Sequence, residues 1–190
     1  MAIYRIRANH ENFMVFSLKV EELYAKMGDD FLYHIDRTPV KQENWKAPTV
    51  TFRKPSDFKN ANAIPDIADW VNSHLVFSQK AYDALSSQLE SYGEFLPVIC
   101  EGITYYIFNV LKLVDDSFID LDKSEREMED GIQVGLHKLK FKEDLLKDTL
   151  LFKAEYDTYL NIFCGDVFKE IVEEAGLKGI EFKPDLASVF

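Results

Sequence analysis

Hydrophobic and polar positions along the chain repeat with two periods, and they agree best from Leu75 to Leu111. Leu75-Val76-Phe77 is an apolar run of strand length, followed by Ser78, whose hydroxyl can accept a backbone N–H at a helix start. Ala81, Tyr82, Leu85 and Leu89 then recur at three- and four-residue spacings, which predicts a helix with Gly93 placed to end it. Phe95–Cys100 and Ile103–Leu111 follow as two strands joined by the short turn Glu101-Gly102. The unit is strand, helix, hairpin.

Before this unit, residues 2–7 alternate as a strand does and Phe13–Phe16 forms a second strand-like run. Leu18–Met27 places Val20, Leu23, Tyr24 and Met27 on one face of a short helix that ends at Gly28. Phe31–Ile35 is apolar without a decided period. From Thr38 to Pro65 the pattern dissolves: four of the six prolines fall there, and only Thr49–Arg53 has strand character. Connections this long tend to be functional or mobile. Trp45 and Phe58 within it are either contact residues for a partner or pins that hold the loop to the core. Pro65–Trp70 predicts one or two helical turns, with proline at the start where its missing N–H is harmless.

After the unit, Val114–Gly131 is polar and acidic, and Ile132–Phe141 alternates with a slip, the mark of a bulged strand. Thr149–Phe152 and Tyr159–Cys164 are strands on the same criterion. Phe168, Ile171, Val172 and Ala175 define an amphipathic helix entered at Gly165-Asp166 and closed by Gly176, after which Leu177–Phe182 returns as a strand. A shift of 86 residues lays Val76, Phe77, Ser78, Ala81, Tyr82 and Leu85 on Ile162, Phe163, Cys164, Val167, Phe168 and Ile171. Both copies have the length of a strand-helix-strand crossover. Duplication and repeated use of a common pattern both account for the echo. The expectation is an α+β fold: a single domain over residues 1–190, with a mixed, mostly antiparallel sheet, a few helices and two strand-helix-strand units.

Composition adds that the chain folds: 47% of its residues are hydrophobic and 14% aromatic. Its net charge of −11 is uneven. Residues 1–60 hold ten Lys/Arg and eight Asp/Glu, a balance of +2; residues 61–190 hold twelve and twenty-five, a balance of −13. Such a surface repels nucleic acid and draws basic partners, although solubility alone also accounts for it. The first residues show no secretory pattern and no apolar run is long enough to span a membrane, so the expectation is a cytoplasmic protein.

Motifs for chemistry are scarce. His10, His34, His74 and His137 lack metal-binding spacings, no nucleophile elbow occurs, and the eight glycines stand singly and form no phosphate loop. Cys100 and Cys164 are too few for a disulfide framework. Cys164 falls where a helix begins, so it is either a reactive thiol or a buried small residue. No catalytic residue, metal ligand or cofactor site is assigned. The strongest polar feature is the run Asp115, Asp116, Asp120, Asp122, Glu125, Glu127, Glu129 and Asp130, opposed only by Lys123 and Arg126. Its resemblance to a calcium loop fails at Glu125, where glycine is needed, and at Gly131, where glutamate is needed. It remains a solvated loop or short helix, a docking surface for a basic protein, or an adventitious cation site.

Pro65-Asp66-Ile67, Ser78-Gln79-Lys80-Ala81, Leu96-Pro97-Val98, Phe108-Asn109-Val110-Leu111 and Gly176-Leu177-Lys178-Gly179-Ile180-Glu181-Phe182 occur in an order that resembles a bacterial immunity-protein family accompanying polymorphic toxins. The resemblance covers about residues 65–183 and leaves residues 1–64 unassigned. It implies a protein without catalytic residues that binds and neutralises a cognate toxin, here a basic one given the acidic run. The contact residues would then be the acidic run together with Trp45 and Phe58. A small-molecule enzyme and a scaffold protein are the alternatives, and the oligomeric state is not legible.

Overall fold

Two sheets, each carrying one helix, account for most of the core of the computed structural model. It describes residues 2–29, 31, 37–40, 42–58, 60–71 and 73–187. The apolar run at residues 31–35 lies outside them except for Phe31. In chain order the elements are β1 (Ile3–Ala8), β2 (Val15–Ser17), α1 (Val20–Met27), β3 (Thr51–Arg53), β4 (Ile67–Trp70), β5 (His74–Phe77) and α2 (Gln79–Leu89). There follow β6 (Gly93–Cys100), β7 (Ile103–Val110), β8 (Leu113–Val114), β9 (Glu125–Glu129) and β10 (Ile132–Lys138). The chain closes with β11 (Leu151–Ala154), β12 (Phe163–Gly165), α3 (Asp166–Glu174) and β13 (Ile180–Lys183). The architecture is α+β and mostly antiparallel, as the periodicities predict. The strands are divided among a four-stranded sheet β4-β5-β7-β6, a five-stranded sheet β13-β1-β12-β11-β8 and two small pairs, β2-β3 and β9-β10.

The 86-residue echo has a topological counterpart. β5 and β6 both run antiparallel to β7, so they are parallel to each other with β7 between them and α2 connecting them. β12 and β13 stand in the same relation around β1, with α3 as the connection. β4 pairs with β5 as β11 pairs with β12. The strand inserted between the parallel pair differs in origin: β7 follows β6 by a hairpin, whereas β1 comes from the N-terminus.

Alternation along the strands explains why both faces of the sheets are apolar. Leu75, Phe77, Phe108 and Val110 join Ala81, Leu85 and Leu89 of α2 and Phe168 and Val172 of α3 in one central core, with Ile6, Leu151 and Cys164 from the other sheet. The intervening residues Val76, Leu96, Val98 and Ile107 face a second core closed by Phe16, Leu23, Val40, Trp45 and Val50. Ile3, Phe152, Phe163 and Tyr156 form a third with Ile119, Phe141 and Leu146. Leu85 is fully buried in the central core, and Leu85→Ala is expected to cost about 2–5 kcal/mol in urea unfolding through lost transfer energy and the cavity left behind.

The two sheets are joined at Asp66. Its carboxylate Oδ2 accepts the Lys178 N–H at 2.9 Å and the Lys80 ammonium at 3.3 Å. Lys178 O in turn accepts the N–H groups of Asp66 and Ile67, both at 2.9 Å. Lys80 also donates to Gly176 O at 2.9 Å, and Ser78 caps α2 by accepting the Ala81 N–H at 3.3 Å. Three of the sequence words behind the family resemblance therefore meet at one joint.

Several elements differ from the sequence expectation. Pro65–Trp70 is not helical: Ile67–Trp70 is β4, registered against Phe77–His74 of β5. Pairing buries Ile67, Ala68 and Trp70 on both faces, which a single helical turn cannot do. Gly93 does not end α2, which stops at Leu89; it opens β6, where an added Cβ would lie 2.1 Å from Asn109 O. Tyr159–Cys164 is strand only at its end. Glu155–Asp157 is a 3-10 turn and Thr158 and Tyr159 take left-handed φ values of 57° and 62°, held by the Asn161 N–H donating to Asp157 Oδ2 at 3.0 Å.

Candidate functional site

The acidic run resolves into two parts with different physics. In the first, the carboxylates serve local structure. Asp115 caps the 3-10 turn Asp116–Phe118 by accepting the Ser117 N–H at 2.8 Å, and this hydrogen bonding holds its carboxyl below the usual range. Asp116 pairs with Arg126 Nη2 at 2.9 Å. Asp120 accepts from Lys123 Nζ at 2.8 Å, which likewise lowers its carboxyl. Asp122 is exposed in the next 3-10 turn, Leu121–Lys123.

The second part is neither loop nor short helix. Glu125–Glu129 is β9, and it pairs with β10 through a two-residue turn in which Asp130 and Gly131 have φ values of 49° and 80°. Positive φ at both positions is the hairpin turn that Asp-Gly favours. The register sets the faces: Glu125 opposes Lys138, Glu127 opposes Gly135, and Glu129 opposes Ile132. Three glutamates thus stand in a row on the outer face, all exposed. Gly135 has no side chain to cover that face, and Glu127 Oε2 lies 2.9 Å from where a Cβ there would be. The inner face anchors the hairpin. The Arg126 guanidinium lies 4.0 Å from the Tyr156 ring centroid, Gln133 Nε2 donates to Tyr156 O at 2.9 Å, and Leu136 packs on the third core. Val134 falls at the bulge and is 52% exposed; Met128 and Ile132 are also exposed.

Trp45 and Phe58 separate. Trp45 is buried in the second core and its indole N–H donates to Pro97 O at 2.6 Å, so it pins the long connection to β6. Phe58 is 38% exposed. Trp45 belongs to a different core from the one on which Leu136 of the hairpin packs.

Below the hairpin is a cavity of about 250 Å³, lined by β1, by Gln133–Leu136 and by the segment after β11. Arg5 and Asp157 in its wall are each 3% exposed. Asp157 Oδ2 accepts from Asn161 N and Nδ2, at 3.0 and 2.9 Å. Burial pushes the Asp157 carboxyl up to about 6 against these hydrogen bonds, and burial likewise lowers the Arg5 guanidinium. At the cavity's edge His10 Nε2 lies 3.1 Å from Asp69 Oδ1, and this hydrogen bond raises the imidazole.

The raised carboxyl has a stability consequence with a definite sign. The folded state holds the Asp157 proton more tightly than the unfolded chain does. Its advantage is therefore complete below about pH 4 and is lost as pH rises through about 6. The rise of the carboxyl from its ordinary value to about 6 corresponds to about 3 kcal/mol. Urea unfolding of wild type and Asp157→Asn should show the variant gaining on wild type by up to that amount between pH 4 and 7.5. A difference that stays constant with pH would show that the carboxyl titrates normally.

In the sequence these cavity groups carry little signal, because Arg5 and Arg7 have the pattern of the polar side of an exposed strand. One signal was there: Arg5 is two residues from Ile3 and so shares its buried face. Cys164, the candidate thiol, is fully buried and its thiol is raised well above the ordinary value by burial. Desolvation of a thiolate outweighs the adjacent helix N-terminus. Among the described residues no group of three or more His, Cys, Asp or Glu side chains is placed to hold a metal ion, and no helix is long and apolar enough to cross a membrane.

The fold and site together define an α+β protein that presents an acidic hairpin over a small polar cavity. The chain belongs to the immunity protein family (Imm11), whose model matches residues 24–185. That match starts well before Pro65, so most of the N-terminal segment left unassigned by the sequence words lies within the family. None of the curated proteins matches the chain. Membership points to toxin immunity as the general role and to a toxin as the general partner.

Proposed function

We propose that this protein neutralises one cognate toxin of a polymorphic toxin system by direct contact and without catalysis, in the cytoplasm, and that the toxin surface it meets is basic. The observation that carries the reading is the row Glu125, Glu127 and Glu129 on one exposed face, whose registered partners Lys138, Gly135 and Ile132 include a single basic residue. Alternate residues on a strand lie about 7 Å apart, so the row presents a line of negative charge that a basic strand or helix can follow. Exposed Ile132, registered against Glu129, supplies apolar area beside the row, and exposed Met128 and Val134 add more elsewhere on the hairpin, as protein interfaces join apolar and polar surface. The same charge disfavours a nucleic-acid partner. An interface of about 800 Å² per partner would extend beyond the hairpin, and the turn at Asp116–Lys123 and Phe58 are available to it. Asp115, Asp116 and Asp120 would contribute mainly through the field they add, since one oxygen of each already serves a local bond.

The test is co-expression with the product of the adjacent gene. Rescue of growth and co-purification of the two proteins are the expected results. Growth arrest in the presence of the intact protein, with no complex recovered, would remove the reading.

A further inference from the structure

The outer edge of β9 is a strand edge that the described residues leave open. β9 pairs with β10 alone, in a two-stranded sheet. Glu129 and Ile132 flank the two-residue turn and form the hydrogen-bonded pair that closes it. Direction alternates along a strand, so Glu127 and Glu125 also turn their backbone groups to β10, and Arg126 and Met128 turn theirs away from it. Among the described residues no backbone group bonds to the N–H or C=O of Arg126 or Met128. The edge of β6 is treated differently: the Val50 N–H donates to Ile99 O at 2.8 Å and the Ile99 N–H to Pro48 O at 2.9 Å, which covers it. Open edges are commonly blunted by bulges, proline or lysine. Here both bulges lie in β10, and Glu125–Glu129 runs regularly with neither proline nor lysine. Arg126 is held in place by Asp116 Oδ2 at 2.9 Å and by the Tyr156 ring, so that part of the edge is ordered before anything docks.

Charge selects what can pair there. An added strand sets its side chains directly beside those of β9 on each face. A second copy of β9 would set glutamate beside glutamate, which like-charge repulsion opposes. A strand with lysine or arginine at every second position would instead bring a cation to each of Glu125, Glu127 and Glu129, and an apolar residue between them to exposed Met128. A helix can follow the glutamate row, but only an extended segment also bonds the backbone groups of Arg126 and Met128.

We propose that the toxin adds a strand to the free edge of β9, using an extended segment with basic residues at alternate positions. The identity of the partner rests on the toxin-binding reading above; the open edge does not. The full-length protein, labelled with ¹⁵N, is titrated with a blocked pentapeptide of alternating lysine and valine and with its glutamate-valine counterpart. The lysine peptide should shift the Arg126 and Met128 amides saturably and slow their hydrogen exchange by about ten-fold; the glutamate peptide should leave them unchanged. Met128→Pro is the sharpest variant. Proline is tolerated at an edge whose N–H faces solvent, so the unfolding midpoint should hold. Binding should weaken by at least about ten-fold, because a hydrogen bond of the added strand is lost. Met128→Ala keeps that N–H and should bind within about three-fold of wild type. The same two amides should be protected in the complex with the adjacent-gene product. No saturable shift with the lysine peptide, equal binding of both peptides, or Met128→Pro binding as Met128→Ala does would overturn the proposal. A lowered midpoint in Met128→Pro would place that N–H inside the hairpin and overturn it too. A complex in which Arg126 and Met128 exchange as in the free protein would overturn strand addition and leave toxin binding standing. Should that product not bind at all, the immunity reading falls while the peptide titration still decides the edge.

Discussion

Gly179→Ala should cost this protein a large share of its stability. A Cβ at residue 179 would lie 2.2 Å from Ile67 O and 2.3 Å from Pro65 Cβ, and the residue has a φ of +117° that other L-amino acids rarely adopt. The first atom it meets is backbone and cannot swing aside. Relief therefore means moving Pro65–Ile67 away from Lys178, which breaks the paired bonds from Asp66 N and Ile67 N to Lys178 O. Backbone strain costs about 1–3 kcal/mol and overpacking a similar amount. Together they amount to about 2–6 kcal/mol, a large share of the 5–15 kcal/mol typical of a folded domain. Circular dichroism with urea titration measures it. An alanine variant within about 1 kcal/mol of wild type would show that the two sheets do not depend on this joint. Asp66→Asn is a milder companion. It keeps the backbone bonds and weakens the carboxylate's contacts with Lys80, the Lys178 N–H and the Ser78 hydroxyl.

The same joint explains what the sequence made legible. Pro65-Asp66-Ile67, Ser78-Gln79-Lys80 and Gly176-Leu177-Lys178-Gly179 are separated by up to about a hundred residues, yet their role is local: close backbone approach, a cap and a carboxylate shared by two donors. Such requirements fix residue identity, so they survive as recognisable words. The helices α2 and α3 were equally visible, because one face of each is continuous apolar core. Strands whose pairing partner is distant were harder. β4 has a helical look because a four-residue run carries too little period to outweigh a leading proline, and β12 is shorter than its pattern because Tyr159–Ile162 is mostly apolar but bound into a turn by Asp157. The hairpin itself had a clear marker in Asp130-Gly131. Its strand β9 was hidden because every second residue is glutamate, which looks like a solvated loop when the pairing with β10 is not known. The cavity was the least legible part. Arg5 and Asp157 are 152 positions apart in the numbering and reach one cavity only through the pairing of β1 with β12.

Reversing the glutamate row should separate folding from recognition. Replacing Glu125, Glu127 and Glu129 by lysine changes the net charge from −11 to −5, since each reversal adds two. The three side chains are exposed and face away from the core, while the anchors on the inner face, Arg126, Gln133 and Leu136, are untouched. The unfolding midpoint should therefore stay near that of wild type. Association with the adjacent-gene product should slow by about 10- to 1,000-fold at low salt, because aligned charge acts mainly by steering encounter. The wild-type on-rate should fall steeply as ionic strength rises and the Debye length shrinks from about 30 Å at 0.01 M to about 8 Å at 0.15 M; the on-rate of the variant should be nearly flat. Equal reversals at Glu170, Glu173 and Glu174 on α3 make the control, since they change the net charge by the same amount on another element. A wild-type on-rate indifferent to salt would remove electrostatic docking from the mechanism. If the α3 reversals slowed association as much as those on the hairpin, the overall charge of the protein would be responsible, and the row on β9 would lose its special place.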